Sequence, residues 1–165
     1  MATKRSAGIL LFRRGGDGVE VLLVHPGGPF WKRRDEGAWS IPKGEIEPGE
    51  QAVAAALREF GEELGPAPEF DSESLIELGS VRQRAGKVVE AWAAEGDFDP
   101  EQLQSISFEM EWPPRSDTQA TFPEVDRAGW FTPEAARGKI LVGQAPLIDR
   151  LMERLDPGAG AESAA

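Results

Sequence analysis

The 165-residue chain has no cysteine, no tyrosine and a single histidine, His25. The absence of thiols excludes disulfides, a thiolate nucleophile and cysteine-ligated zinc, and one imidazole excludes a multi-histidine metal centre. Long apolar runs are missing too: no stretch approaches the roughly 20 residues that a membrane helix requires, so no membrane partner is expected. The basic residues Lys4 and Arg5 are followed by a short apolar stretch, 9–12, and then by Arg13 and Arg14. That stretch is too short for an export signal, and a cytoplasmic location is expected. Positive charge is also scarce. Lys and Arg number 18 against 29 Asp and Glu, a formal net charge of −11, whose field repels polyanions at long range and argues against nucleic acid as a partner. A small phosphorylated substrate is compatible with that field if metal ions and a few local cations reverse its sign inside one cleft.

With 40% hydrophobic and 28% charged residues, the chain has the composition of an ordinary globular protein, and its length suits one domain. That domain is expected over residues 1–155, with a small, polar, glycine-bearing tail at 156–165 expected to fray. Residues 7–12 and 19–25 are nearly all apolar and are separated by Arg13-Arg14-Gly15-Gly16-Asp17-Gly18. This pattern predicts an antiparallel hairpin buried on both faces. A long polar loop, 26–37, carries Lys32, Arg33 and Arg34 and leads to a short strand predicted at 38–41.

The helical spacing of Val53, Ala56, Leu57, Phe60 and Leu64 predicts a helix over 50–64, with Pro48 suited to its first turn and Gly65-Pro66 as its stop. Further strands are expected at 75–83 and 87–94, joined through Arg84-Ala85-Gly86. Another is expected at 106–112, where Ile106, Phe108, Met110 and Trp112 alternate with polar neighbours before Pro113-Pro114. The following segment reads as a loop up to a short strand around Trp130-Phe131. Thr132-Pro133-Glu134 then opens a small helix, and an amphipathic helix over Ala145–Leu155 closes the fold.

On a helical wheel with Glu59 at zero, Glu63 falls at about 40° and Glu62 at about −60°, while Val53, Leu57, Phe60 and Leu64 cluster at roughly 100 to 160°. Three carboxylates therefore project together from the side away from the core. Like charges at these spacings repel by a few tenths of a kcal/mol each. A hard divalent cation would relieve that cost, because carboxylate oxygens are what Mg²⁺ or Mn²⁺ prefers. An ordinary solvated acidic face is the alternative.

The wider spacing favours the metal-binding reading. Reading forward from Gly44, five residues precede Glu50, and seven more precede Arg58-Glu59-Phe60-Gly61-Glu62-Glu63-Leu64-Gly65-Pro66. This resembles the box of the Nudix hydrolase family, and its seven fixed polar or glycine positions are all present: Gly44, Glu50, Arg58, Glu59, Glu62, Glu63 and Gly65. Phe60 and Pro66 stand where the family carries aliphatic residues. Both keep apolar character, so altered packing rather than lost chemistry is expected. As an order of elements the resemblance covers most of residues 7–155. With Ala7-Gly8-Ile9-Leu10-Leu11-Phe12-Arg13-Arg14, Trp39-Ser40-Ile41-Pro42-Lys43-Gly44 and the acidic Phe122-Pro123-Glu124-Val125-Asp126, the chain looks like the diadenosine tetraphosphate hydrolase branch.

The resemblance implies an α/β fold, a Nudix-like α/β/α sandwich with a mixed sheet. It further implies divalent-metal-dependent pyrophosphohydrolysis of a nucleoside diphosphate linked to another moiety, a dinucleoside polyphosphate such as diadenosine tetraphosphate being the first expectation. Mg²⁺, or Mn²⁺, would be held by Glu59, Glu62, Glu63 and the Gly44 carbonyl. Arg58 would fix Glu59 by a charge-assisted hydrogen bond, with Glu50 holding Arg58 in turn. Either Glu59 or Glu124 would serve as the base. Lys43 and the Lys32-Arg33-Arg34 cluster are the candidates for distal phosphates, followed by Arg115 and Ser116. Trp39 is the candidate platform for a base, with Trp31, Trp112 and Trp130 also available, and His25 reads as structural. Nucleoside triphosphates and sugar nucleotides are alternative substrates. A non-catalytic nucleotide-binding or metal-binding module on the same fold and an acidic interaction protein are alternatives of other classes. Oligomeric state is left open.

Overall fold

Alternate residues of the first strand face two different cores, which is why its sequence is apolar at nearly every position. In the computed structural model, which describes residues 4–16, 18–65, 69–70 and 73–156, β1 (Arg5–Gly15) directs Ala7, Ile9 and Leu11 to one core and Leu10 and Phe12 to the other. β2 (Gly18–Pro26) divides in the same way, Leu22 and Val24 joining the first core and Val21 and Leu23 the second. The two form the expected antiparallel hairpin, with Phe12 opposite Val21 and Gly15 opposite Gly18. Asp17, at its tip, lies outside the described residues.

The first core is closed by α1 (Ala52–Leu64), which contributes Ala55, Ala56, Phe60 and Leu64. The second is closed by α2 (Pro133–Lys139) and α3 (Ala145–Leu155), through Ala136, Leu147, Ile148 and Leu151. Helices on both faces of one sheet make the α/β/α sandwich that the resemblance implied. Each large apolar side chain so buried contributes about 1.5–3 kcal/mol relative to exposure.

The sheet is mixed. β1 runs parallel to β6 (Val88–Asp97), with Ala7 opposite Glu90 and Phe12 opposite Glu95. On its other side its beginning pairs antiparallel with β3 (Lys43–Glu45) and its end with β2. β4 (Glu69–Phe70) and β5 (Ile76–Arg82) both lie antiparallel to β6, and β9 (Val125–Phe131) lies antiparallel to β2. A separate two-stranded ribbon is formed by β7 (Ser107–Glu111) and β8 (Gln119–Pro123).

Several boundaries differ from the sequence expectations. Residues 38–41 form no ladder; Trp39 and Ser40 make only single bridges to Ile140 and Val24. The strand that leads into the box is β3, which starts two positions beyond Ile41, where a polar Lys-Gly-Glu run gave no apolar signal. α1 begins at Ala52 rather than at residue 50, so Pro48 lies in the preceding loop and Glu50 stands outside the helix. The helix ends at Gly65, whose φ of 101° favours glycine and whose N–H donates to the Gly61 carbonyl at 2.8 Å. Pro66 lies outside the described residues, as do residues 157–165 of the tail. The segment read as a loop after Pro114 contains β8, and the strand at Trp130 extends back to Val125. The Thr132 cap is present, its hydroxyl accepting from the Ala135 N–H at 3.2 Å, and α3 has the expected bounds.

Candidate active site

The short β1–β3 ladder sets Gly44 opposite Ala7, underneath α1. No side chain fits there. A Cβ on Gly44 would lie 2.0 Å from Cδ and 2.1 Å from Oε2 of Glu59, so the absence of a side chain leaves a cradle that the Glu59 carboxylate occupies.

Arg58, one residue earlier on α1, ties the acidic side chains together. Its Nε and Nη2 donate to the two carboxylate oxygens of Glu50 at 2.9 and 3.0 Å, a bidentate fork. Its Nη1 donates to Glu59 Oε1 at 2.8 Å and to Glu62 Oε2 at 3.3 Å, and Nη2 also reaches the Glu45 carbonyl at 3.0 Å. The hydrogen bond from Arg58, helped by the Glu47 N–H, holds the Glu50 carboxyl down to about 2, and Glu50 is the leading cause that keeps Arg58 charged. Glu50 can do this because it precedes the helix and folds back over it.

Glu63 turns into the seam between α1 and β3, where the Lys43 N–H donates to its Oε2 at 3.4 Å. Loss of hydration is the leading cause that pushes its carboxyl up to about 8; Lys43 opposes the rise, and the charges of Glu59 and Glu124 add to it. The same loss of hydration raises Glu59, with Arg58 opposing and Glu62 adding. Lys43 is pushed down by burial, with the charge of Glu63 opposing and that of Lys87 adding. Glu63 is therefore unfavourable as an anion until a cation stands beside it.

The donor set fits a hard divalent ion. Every candidate ligand is an oxygen, from Glu59, Glu62, Glu63 and the Gly44 carbonyl, and two of the carboxylates are raised by loss of hydration, a cost that a bound cation offsets. Among the described residues no three Asp, Glu or His side chains already converge as a closed ligand set; Glu59 and Glu62 are turned onto Arg58 instead.

Beside these groups lies a cleft of about 870 Å³, lined by Lys43, Glu63, Glu124 and Trp31, by Arg82 at the end of β5, and by Arg84 and Lys87 from the turn between β5 and β6. Of the residues expected from sequence, the structure brings Gly44, Glu50, Arg58, Glu59, Glu62, Glu63, Lys43 and Glu124 to this region. It separates the others. Lys32 and Arg33 are exposed, and Arg34 places its guanidinium 5.5 Å from the Trp31 ring; none of the three lines the cleft.

Trp39 is buried, 5% exposed, with Phe131 edge-on at 5.0 Å, the Arg127 guanidinium 5.3 Å from its ring and its indole N–H donating to Asp35 at 2.8 Å. The core and Arg127 take up the ring that was expected to receive a base. His25 is structural in the expected sense: fully buried, its ring nitrogens lie 2.8 Å from Asp126 Oδ1 and 2.6 Å from the Arg34 carbonyl oxygen. Sequence reasoning missed Arg82, Arg84 and Lys87, although three cations within one turn of an acidic chain were a visible signal.

A helix-borne carboxylate cluster, organised by one arginine on an α/β/α sandwich beside a cation-lined cleft, defines a class of enzymes that hydrolyse phosphoanhydrides. The NUDIX domain model matches residues 2–151, and the chain belongs to the Nudix family as one of its pyrophosphohydrolases. It is 32% identical over 111 residues to the asymmetrical bis(5′-nucleosyl)-tetraphosphatase of Rattus norvegicus, covering 59% of this chain and 69% of that protein. It is 46% identical over 56 residues to an RNA pyrophosphohydrolase of Roseobacter denitrificans, covering 32% of this chain and 35% of the relative. The fold is similar to that of a C. elegans Ap4A hydrolase in a binary complex, with a TM-score of 0.64 at 22% identity over 94% of this chain and 99% of that one. Among the described residues no helix is long and apolar enough to cross a membrane.

Proposed function

We propose that the chain hydrolyses a nucleoside diphosphate linked to another moiety with the help of Mg²⁺ or Mn²⁺, and that a dinucleoside tetraphosphate is its preferred substrate class. The observation that carries this reading is the Glu59 carboxylate seated in the Gly44 cradle and held by an arginine that Glu50 fixes in turn. A binding module has no need of so constrained a carboxylate.

In this reading Glu59, Glu62, Glu63 and the Gly44 carbonyl hold the divalent ion, which supplies charge for the phosphoryl oxygens and an acidified water. Arg58 orients Glu59 and limits its reach. Glu50 keeps Arg58 from swinging into the cleft. Glu124, exposed at the cleft and electrostatically coupled to Glu63, takes the proton from the attacking water, or Glu59 does so. Lys43, half-buried at the cleft, neutralises a phosphate of the bound substrate. The tetraphosphatase relative supports the substrate class, and the acidic net charge favours a small substrate over a nucleic acid.

The test is hydrolysis, with Mg²⁺ or Mn²⁺, of diadenosine tetraphosphate, nucleoside triphosphates, sugar nucleotides, ADP-ribose and a 5′-triphosphorylated RNA, with Glu63→Gln alongside. Fastest turnover of the dinucleoside tetraphosphate, lost in the variant, is expected. Faster turnover of another compound replaces the substrate class, and equal rates in the variant and the parent protein overturn the site.

A further inference from the structure

We infer that Ser105 is a positioning residue for Glu124, and that the segment around it fastens the Glu124 backbone to the end of α1, so that the proton acceptor and the metal-holding face move as one body. This deepens the proposed function and rests on it, in the form in which Glu124 takes the proton.

The end of α1 supplies the first argument. The last carbonyls of a helix have no partner within it. In α1 two of them are taken by one segment of the connection between β6 and β7, where the Gln104 N–H donates to the Leu64 carbonyl at 3.1 Å and the Ile106 N–H to the Glu62 carbonyl at 2.9 Å. Gly65 lets this segment approach, since a Cβ there would lie 2.9 Å from the Gln104 Cβ. Burial of Ile106 is not what holds it, for that side chain is 50% exposed. Ile106 contributes its backbone.

The ties continue, residue by residue, to Glu124. The Ile106 carbonyl accepts from the Glu124 N–H at 2.8 Å, and the Glu124 carbonyl accepts from the Gly27 N–H at 2.9 Å. Three hydrogen bonds thus connect Glu62 through Ile106 and Glu124 to the loop that follows β2. Position 27 has no room for a side chain, because a Cβ there would lie 1.9 Å from the Pro123 carbonyl oxygen.

Ser105 locks this arrangement. Its hydroxyl donates to the Ile106 carbonyl at 2.8 Å, the same oxygen that receives the Glu124 N–H, and accepts from the Val125 N–H at 3.0 Å. One side chain therefore holds the residue before the tie and the residue after Glu124. The register of β2 against β9 shifts between His25 and Pro26, so the ladder is interrupted where β9 begins. Val125 is buried there, and an N–H left without an acceptor in such a place is costly.

The consequence is geometric. The Glu124 side chain is exposed at the cleft, so its reach is set by the backbone that carries it. A general base has to stand within hydrogen-bond reach of the proton it takes, and a misplacement of about 1 Å costs on the order of 10²-fold in rate. Ser105 is absent from the lining of the cleft and acts through Glu124.

The experiment compares the wild-type protein with Ser105→Ala, Ser105→Thr, Glu124→Gln and the double variant Ser105→Ala/Glu124→Gln, at a temperature below all of their thermal midpoints. It measures kcat and KM with Mg²⁺ on the compound that the wild type hydrolyses fastest, Mn²⁺ affinity by calorimetry, and amide hydrogen exchange at Glu124 and Val125 by NMR. Ser105→Ala is expected to lower kcat about tenfold, with KM and the Mn²⁺ Kd changed by less than about twofold. Exchange at both amides is expected to accelerate about tenfold. Ser105→Thr keeps the hydroxyl and is expected to stay within about threefold of wild type in kcat. In the Glu124→Gln background the alanine is expected to add less than about twofold, because the side chain it positions no longer takes a proton. Unchanged kcat or unchanged exchange in Ser105→Ala, an equal loss in both backgrounds, a threonine variant as slow as the alanine variant, or wild-type turnover in Glu124→Gln overturns the inference. In each of these cases hydrolysis that still depends on Glu63 leaves the proposed function standing and removes the role of Ser105 alone. Turnover that does not depend on Glu63 overturns the reading beneath it.

Discussion

Gly44 and Glu59 occupy the same space: where any other residue at position 44 would carry a Cβ, the Glu59 carboxylate lies, 2.0 Å away at Cδ. A glycine in a strand is usually a weakness. Here it is the condition for the acidic cluster.

Gly44→Ala therefore displaces the carboxylate without disturbing a strand conformation that alanine accepts. A displacement near 1 Å at a reacting group costs on the order of 10²-fold in rate. Turnover of the best substrate of the panel is expected to fall by about that factor while the thermal midpoint in the absence of metal holds or rises. Retention of activity would remove the cradle from the mechanism.

Arg58→Lys tests organisation against charge. A lysine keeps the cation, but it cannot hold both oxygens of Glu50 while also reaching Glu59, Glu62 and the Glu45 carbonyl. Metal affinity or activity is expected to fall about 10- to 100-fold, as for other residues that orient ligands. Calorimetric Mn²⁺ titration beside kcat and KM separates the two effects.

The acid limb of stability carries a signature of Glu50. Its folded carboxyl is held down to about 2 from an ordinary value of 4.5. Its ionised form therefore stabilises the fold fully above pH 4.5, and that stabilisation is lost as pH falls towards 2. Glu50→Gln is expected to lower the urea midpoint at pH 6, with the gap to wild type closing as the pH approaches 2. A constant gap would mean that packing, not charge, is what Glu50 supplies.

Phe60 stands at an aliphatic position of the Nudix pattern and is 2% exposed in the core under α1. Phe60→Ala is expected to cost about 3–5 kcal/mol in chemical denaturation, whereas Phe60→Leu, which restores the family's residue type, costs less than about 1.5 kcal/mol. Activity at a temperature where both variants are folded stays close to wild type, because Phe60 faces away from Glu59.

The sequence by itself determined the parts governed by local chemistry. Helical periodicity placed Glu59, Glu62 and Glu63 on one face of α1 and Phe60 and Leu64 on the other. The spacing from Gly44 through Glu50 to Arg58 identified the family and the group of residues the structure brings together. The two-sided apolar runs of β1 and β2 required cover on both faces, and the resemblance to the family implied that a sandwich supplies it. What only the tertiary structure decided depends on partners far apart in the chain. The polar run of β3 becomes a strand because β1 offers it a ladder. Trp39 is enclosed by Phe131 and Arg127, and the cations of the loop at 32–34 stand outside the cleft while those of Arg82, Arg84 and Lys87 line it. Gln144 meets Gln83 across 61 residues and Ile41 across 103. No local pattern encodes such pairings, because a buried amide gains its stability from donors and acceptors that the fold must first assemble.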